Sequence, residues 1–100
     1  MRLLPLALLA LLAGCDGRVG APCRTPTDCR SPPMADCLDW PEGYCTAPCG
    51  ASEECGPEGA CVEADDRGGM CLRRCGPDAP CRPGYACNGT LQGVTVCWPE

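Results

Sequence analysis

The sequence predicts a small disulfide-rich fold of three tandem four-cysteine modules, each a loop followed by a short β-hairpin, after an N-terminal signal helix. Cysteine accounts for 13 of the 100 residues, a fraction typical of disulfide scaffolds. After the leader, large apolar residues are too few to form a core that outweighs chain entropy, so covalent bridges are required. Twelve of the cysteines recur at a fixed spacing, which indicates repeated units.

The chain begins with a segment that has the order of a secretory signal peptide. The start Met1-Arg2 is positive, residues 3–12 are an apolar run too short to span a bilayer, and Ala13-Gly14 is a small-residue cleavage site. We therefore predict that residues 1–14 are a leader. Export would place the rest of the chain in a compartment where thiols oxidise.

Cys15 stands outside the spacing of the other cysteines. It closes the stretch Leu12-Ala13-Gly14-Cys15, which resembles the lipobox of bacterial lipoproteins. In that family the cysteine sulfur receives a diacylglyceryl group, the leader is cut before the cysteine, and the new amino terminus usually receives a further acyl chain such as palmitate. The resemblance implies that Cys15 is lipidated and that residues 15–22 are a lipidated N-terminus and tether. The alternative is an ordinary leader followed by a free cysteine.

The lipobox resemblance also implies a location. A lipid anchor at Cys15 would hold the protein in the bacterial cell envelope, where it would face the periplasm or the exterior. Asp16 follows the cysteine, and it resembles the inner-membrane retention signal of enterobacterial lipoproteins, a rule that other lineages do not share. The expected location is therefore the inner membrane, with the lipid anchor as the contact to the bilayer.

The remaining twelve cysteines form an array with a period of 26 residues. The first, second and fourth cysteines of each unit repeat at this interval, and only the third shifts. The units are residues 23–48, 49–74 and 75–100, and we name their cysteines a, b, c and d in chain order. We predict two disulfides within each unit, so that each unit is stabilised by its own bridges. Cysteines a to d are Cys23, Cys29, Cys37 and Cys45 in unit one, Cys49, Cys55, Cys61 and Cys71 in unit two, and Cys75, Cys81, Cys87 and Cys97 in unit three.

Within each unit, turn-forming residues fill the segments from a to b and from b to c, which predicts loops. The segment from c to d predicts a hairpin: in unit three, Tyr85-Ala86-Cys87 and Val94-Thr95-Val96-Cys97 flank the turn residues 88–93. Unit one has seven residues between c and d where the other units have nine. Removing two residues keeps the alternation of side chains, so c and d can still face the same way.

Four cysteines allow three pairings, and spacing alone does not choose among them. The early spacing resembles epidermal-growth-factor-like modules, which implies the crossed pairing a–c and b–d; the pairing a–b and c–d stays open. The acidic residues before cysteine b, in Thr27-Asp28-Cys29 and Glu53-Glu54-Cys55, and the stretch 83–87 are similar to the amino-terminal cysteine-rich domain of Dickkopf-type proteins and to cysteine-rich lipoproteins of myxobacteria-like genomes. That similarity covers residues 23–97 and rests mostly on cysteine spacing.

The composition argues against several classes of function. The chain has no histidine and no lysine, so the commonest general base and the Schiff-base amine are missing, and we predict neither an enzyme nor catalytic residues. The closest cysteine pairs, Cys45/Cys49 and Cys71/Cys75, do not have the short paired spacings of zinc sites, and we predict no metal or cofactor. Without the leader, seven arginines face thirteen acidic residues, and a net charge of −6 does not favour nucleic acid or anionic lipid.

The acidic pairs and the aromatic residues each allow two interpretations. Glu53-Glu54 and Asp65-Asp66 could ligate calcium, but acidic turns in solvent are the simpler interpretation. The aromatic side chains either pack on the disulfides or form part of a contact surface, and we favour packing. The aromatic residues are Trp40, Tyr44, Tyr85 and Trp98.

Together these patterns predict a membrane-anchored, extracytoplasmic, cysteine-rich lipoprotein. Its body would act as a binding, surface-interaction or envelope-structural module with a protein partner that the sequence does not name. The alternative function is a protease inhibitor, in which a disulfide-braced loop presents Arg82-Pro83 or Arg73-Arg74 to a serine protease.

Overall fold

Seven short β-strands and two single-turn 3₁₀ helices make up the structure, a computed structural model that describes residues 17–65, 68–91 and 93–100. The strands form two two-stranded sheets and one three-stranded sheet, all antiparallel. The leader predicted at residues 1–14 lies outside the described residues. The strands are β1 (Asp36–Leu38), β2 (Tyr44–Thr46), β3 (Pro48–Cys49), β4 (Gly59–Asp65), β5 (Gly68–Arg73), β6 (Tyr85–Leu91) and β7 (Val94–Pro99), and the 3₁₀ helices are Pro26–Asp28 and Ser52–Cys55.

Each unit contains the predicted hairpin between cysteines c and d. The hairpins are β1–β2, β4–β5 and β6–β7, and in each one the two cysteines are direct partners across the strands. Directly opposite residues project from the same face of a sheet, so both sulfurs point toward the loop that carries a and b. The shorter hairpin of unit one keeps this register, as the even two-residue difference requires. The facing pairs are Cys37 and Cys45, Cys61 and Cys71, and Cys87 and Cys97.

Six disulfides hold the hairpins to these loops. All of them have the crossed pairing a–c and b–d, which the growth-factor-like resemblance implied, and every bridge stays within one unit. The b–d bridge spans 16 residues in all three units. The bridges are Cys23–Cys37, Cys29–Cys45, Cys49–Cys61, Cys55–Cys71, Cys75–Cys87 and Cys81–Cys97.

The segment that precedes unit one is part of the fold. Val19 is only 3% exposed and belongs to a buried cluster with Met34 and Cys45. The backbone N–H of Gly20 donates to the Cys45 oxygen at 2.9 Å, and the Cys45 N–H donates to Ala21 at 3.0 Å. Within the segment predicted as the lipidated N-terminus and tether, residues 15–22, one apolar side chain and two backbone hydrogen bonds therefore hold the part from residue 17 onward against unit one. Cys15 and Asp16 lie outside the described residues.

The three units are not separate bodies. A second buried cluster draws Tyr44 from unit one, Val62 and Leu72 from unit two, and Tyr85 and Val96 from unit three. No unit has enough apolar side chains for a core of its own, so the units combine theirs. Each unit has its own two bridges, as predicted, and shares this cluster with the other two.

The sheet of unit two also extends past its hairpin. Strand β3 lies at the junction of units one and two and pairs with β5, with Pro48 opposite Met70 and Cys49 opposite Gly69. Gly69 must be glycine here, because an added Cβ would lie 2.5 Å from the Cys61 sulfur and 2.7 Å from the Cys49 oxygen. The disulfide Cys49–Cys61 therefore packs directly on the backbone of β5.

Candidate functional site

Arg82 occupies the contact between unit three and unit one. One terminal nitrogen of its guanidinium donates to the backbone oxygen of Gly20 at 2.7 Å, and the other donates to the oxygens of Pro41, at 2.9 Å, and Gly43. Gly43 has a positive φ of 76°, and an added Cβ would collide with the backbone of Cys23. This glycine turn directs its carbonyl group toward Arg82.

The four aromatic residues of the chain meet around this arginine. The guanidinium carbon lies 4.5 Å from the ring centre of Tyr85 and 5.8 Å from that of Tyr44. Trp40 packs on Tyr44 and on Trp98, with ring centres 5.0 and 5.1 Å apart. Tilted rings at these distances and a cation over a ring face both stabilise the packed state. The aromatic residues are therefore packed, but on one another and on Arg82, and Trp40 and Trp98 stay partly exposed. We call these four residues and Arg82 the aromatic cluster.

Tyr44 connects all three units through its hydroxyl group. The hydroxyl accepts a hydrogen bond from the N–H of Arg73 at 2.7 Å and donates to the oxygen of Cys97 at 3.4 Å. Burial raises the pKa of Tyr44 to about 12, and the neighbouring Tyr85 adds to the rise; the Arg73 N–H and the charge of Arg82 act against it. The hydroxyl therefore stays protonated at physiological pH.

Tyr85 is held by the same arginine. Its hydroxyl donates to the oxygen of Pro41 at 2.7 Å and accepts from Arg82 at 3.1 Å. Desolvation raises the pKa of Tyr85, while the charge and the hydrogen bond of Arg82 act in the opposite direction. Among the described residues, every buried side-chain nitrogen or oxygen has a hydrogen-bond partner. Two protonated phenols with their hydrogen bonds satisfied stabilise the fold, and they offer no poised acid, base or nucleophile.

Two of the arginines that a protease inhibitor would present, Arg73 and Arg82, are half buried and make contacts within the fold, whereas Arg74 is exposed. Arg82 is fixed by three carbonyl groups, and Arg74 donates from Nε to the oxygen of Gly59 at 2.8 Å. Arg73 lies in β5 and reaches Glu58 at 3.9 Å. An inhibitory arginine has to extend from a rigid loop into the pocket of the protease, so these contacts weigh against that alternative.

The closest clusters of metal-binding atoms are the disulfides themselves. In each unit the sulfurs of cysteines a, b and d lie within 4.8 Å of one another. These sulfurs are covalently paired, and the thiolate is the form of cysteine that binds metal. In the oxidised protein the clusters are therefore stacked bridges. The triplets are Cys23, Cys29 and Cys45; Cys49, Cys55 and Cys71; and Cys75, Cys81 and Cys97.

The acidic residues that precede cysteine b have a local structural role. The carboxylate of Asp28 accepts the backbone N–H groups of Arg24 at 2.8 Å and Thr25 at 3.2 Å. Glu54 does the same with Gly50 and Ala51, at 2.5 and 3.1 Å. These hydrogen bonds lower the pKa of both carboxyl groups.

This use of the carboxylates bears on the calcium hypothesis. Glu54 already accepts two backbone donors, which supports the interpretation of an acidic turn at that position. Asp66 of the second pair lies outside the described residues. The sequence shows an acidic residue before cysteine b in units one and two. Cysteine spacing alone does not reveal that its carboxylate accepts backbone N–H groups.

The described residues begin beside the predicted lipidation site. Gly17 is buried against the backbone of residues 28–30. Cys15, two positions earlier, is outside the described residues. Over residues 17–65, 68–91 and 93–100, the structure contains no helix with the length and apolar character needed to cross a bilayer.

Comparison with known proteins gives no match: no family model fits the chain, and no characterised sequence or solved structure is similar to it. The likeness to Dickkopf-type and growth-factor-like modules remains a resemblance of cysteine spacing. A functional assignment therefore depends on the lipobox-like stretch and on the geometry of the described residues.

Proposed function

We propose that the protein is a bacterial lipoprotein, anchored on the extracytoplasmic side of a membrane through Cys15, whose folded body is a binding, surface-interaction or envelope-structural module. The observation that carries the proposal is the use of the cysteines. Six disulfides account for twelve of the thirteen cysteines. The one left over is the cysteine of the lipobox-like stretch, which agrees with a sulfur reserved for lipid.

The disulfides also support export. Bridges of this density form and persist in oxidising compartments and are rare in the cytosol. In such a compartment a diacylglyceryl group and an amino-terminal acyl chain would anchor the protein firmly. Each buried CH₂ contributes about 0.8 kcal/mol, and several chains hold far better than one.

A non-catalytic module fits the described residues better than an enzyme or an inhibitor does. The buried hydroxyl groups of Tyr44 and Tyr85 are both engaged in hydrogen bonds between units. The hydrogen bonds of Arg74 and Arg82 with backbone oxygens weigh against an inhibitory loop. What the fold offers is a disulfide-stapled surface, which would lie next to the proposed lipid anchor.

The decisive experiment is the intact mass of the protein purified from a bacterial membrane. We expect loss of residues 1–14 and an added acyl mass on Cys15. Cys15→Ser should release the protein into the soluble fraction or stall it with its leader attached, while the six disulfides form normally. A mature protein with an unmodified Cys15 would refute the lipoprotein proposal.

The location within the envelope is tested separately. With Asp16 after the modified cysteine, we propose retention in the inner membrane, and Asp16→Ser should redirect the protein to the outer membrane. Fractionation that finds the native protein wholly in the outer membrane would show that this sorting rule does not apply here.

A further inference from the structure

The distance between the proposed lipid anchor and the folded body is very short. One residue separates Cys15 from Gly17, so their Cα atoms are at most about 7 Å apart. Gly17 is already part of the fold: an added Cβ would lie 2.4 Å from the nitrogen of Arg30 and 2.6 Å from the oxygen of Asp28. The body therefore has almost no freedom to move away from the bilayer that holds the anchor.

The surface beside Gly17 carries arginines and exposed prolines. Arg24 and Arg30 are exposed and line one depression together with Asp28. Arg18 lines a second depression with Pro32 and Pro33, which are also exposed. We call this surface the anchor face and define it by its members. These are Arg18, Arg24, Asp28, Arg30, Pro32 and Pro33.

The anchor face is balanced in charge. Its three arginines are balanced by Asp28 and by two neighbours, Glu42 in the depression of Arg24 and Glu58, which pairs with Arg18 at 3.5 Å. Elsewhere after residue 33, nine acidic residues face four arginines. A layer of phosphate groups would repel that remainder and would not repel the anchor face.

We propose that the anchor face lies directly on the phospholipid headgroups of the membrane that holds the lipid anchor, with Arg24 and Arg30 contacting headgroup phosphates. A guanidinium group binds phosphate through paired hydrogen bonds, and exposed arginine side chains can supply them. This inference rests on the proposed lipidation, and it adds an orientation: the β6–β7 hairpin of unit three extends away from the bilayer. The overall charge of −6 argued against anionic lipid, but the arginines next to the anchor change that conclusion locally.

The orientation can be tested by NMR on the lipidated protein in nanodiscs. A fraction of the lipid headgroups carries a gadolinium chelate, which removes the signals of nearby amides. Backbone amide signals of residues 18–33 should be lost, and those of residues 93–98 should be retained. The base of the β6–β7 hairpin contacts unit one through Tyr85, and its turn lies about 20 Å further along the strands. Equal loss of signal in both segments, or greater loss at residues 93–98, would overturn the orientation.

A pair of variants with equal charge tests the phosphate contacts. Arg24→Gln with Arg30→Gln should restore amide signals at residues 24–30, because the guanidinium groups no longer hold the face to the headgroups. The control, Ala51→Glu with Pro77→Glu, makes the same change in net charge at exposed positions in units two and three. It should leave the signal loss unchanged. If both pairs behave alike, net charge and not the anchor face sets the orientation.

A second preparation separates this inference from the proposed function. In the oxidised chain from Cys15 onward, Cys15 is the cysteine without a disulfide partner, so a maleimide phospholipid can be attached there. This chain retains every described strand and bridge. If the native protein lacks acyl mass, lipidation fails as a function, and the synthetic anchor still tests the face. If acyl mass is present and residues 18–33 keep their signals in both preparations, the orientation alone is refuted.

Discussion

The first two units and the third share one cysteine frame but hold the segment from a to b in different ways. In unit one Asp28 caps the segment, and in unit two Glu54 does so, each by accepting the two N–H groups after cysteine a. Unit three has Pro80 at that position, and its segment closes through two backbone hydrogen bonds between Gly76 and Ala79. The difference teaches that the three units share one set of crossed bridges, whereas each loop needs its own local support.

The arginine that follows cysteine b also differs in role between units. Arg30 and Arg82 both directly follow cysteine b. Arg30 is exposed, and its Nε donates to the oxygen of Thr27 in its own loop at 3.3 Å. Arg82 instead binds three carbonyl groups outside its own unit. Equivalent residues differ in role because of the surface that lies opposite them.

Among the variants that compare the units, removal of a b–d disulfide should have the largest effect on the free energy of unfolding. Cys55→Ala with Cys71→Ala should lower the free energy of unfolding by about 3–5 kcal/mol, from a closed loop of 16 residues. Cys81→Ala with Cys97→Ala should cost less, because Cys81 is only half buried and Arg82 still holds unit three. Urea denaturation of the oxidised variants measures both. Equal losses would mean that the aromatic cluster does not support unit three.

Replacement of Arg82 and of its equivalent Arg30 should give the next largest difference in the free energy of unfolding. Arg82→Gln should lower the free energy of unfolding by about 2–4 kcal/mol, because three carbonyl acceptors, of which Gly20 is buried, lose a charged donor. Arg30→Gln should change it by less than about 0.5 kcal/mol, as exposed substitutions usually do. Thermal unfolding monitored by tryptophan fluorescence also reports the rings of Trp40 and Trp98. Similar losses in both variants would contradict a special role for Arg82.

Tyr44 should have a smaller effect with a distinct pH dependence. Tyr44→Phe should cost about 1–2 kcal/mol, because the Arg73 N–H and the Cys97 oxygen lose their partner. The pKa of Tyr44 is raised from 10.0 to about 12 in the folded state. The neutral hydroxyl therefore stabilises the fold fully below pH 10, and this contribution is lost as the pH rises toward about 12.

The pH dependence can be separated from general alkaline damage. Unfolding curves recorded between about pH 9 and 12 should fall more steeply for the wild-type protein than for Tyr44→Phe, which has no hydroxyl to titrate at this position. Tyr85→Phe serves as the control for the neighbouring phenol, which is less deeply placed. An identical slope in wild type and Tyr44→Phe would show that the buried hydroxyl does not govern this range.

The smallest effect should be local to the capped loops. The pKa values of Asp28 and Glu54 are lowered from 3.8 and 4.5 by backbone N–H groups. Their contribution is present above those values and is lost as the pH falls below them. Glu54→Gln should speed hydrogen exchange at the amides of Gly50 and Ala51. The turn between Gly76 and Ala79 should not respond to acid, because its hydrogen bonds join backbone groups only.

The sequence predicts the part of this fold that is local and periodic. The hairpins, the turn-rich loops and the confinement of bridges to units follow from cysteine spacing, and the crossed pairing followed from a resemblance. The contacts of Arg82 with Gly20, Pro41 and Gly43 could not be predicted, because they join residues 39 to 62 positions apart. The packed segment 17–22 was missed for the same reason: a single Val19 in a Gly-rich stretch gives no periodic signal. Lipidation of Cys15 stays a prediction.

Because the disulfides are crossed, they determine which fragments of the chain a single peptide-bond cleavage would release. A single cut anywhere between cysteines a and d of a unit leaves both pieces joined through a–c or b–d. The units can part only at their junctions, residues 46–48 and 72–74. Both are only partly covered: Thr46 and Ala47 are each 4% exposed and Leu72 is 0% exposed, whereas Pro48 and Arg74 are exposed. A molecule cut once within a unit therefore stays in one covalent piece, whereas a cut at an exposed junction residue, Pro48 or Arg74, would break the covalent link between units.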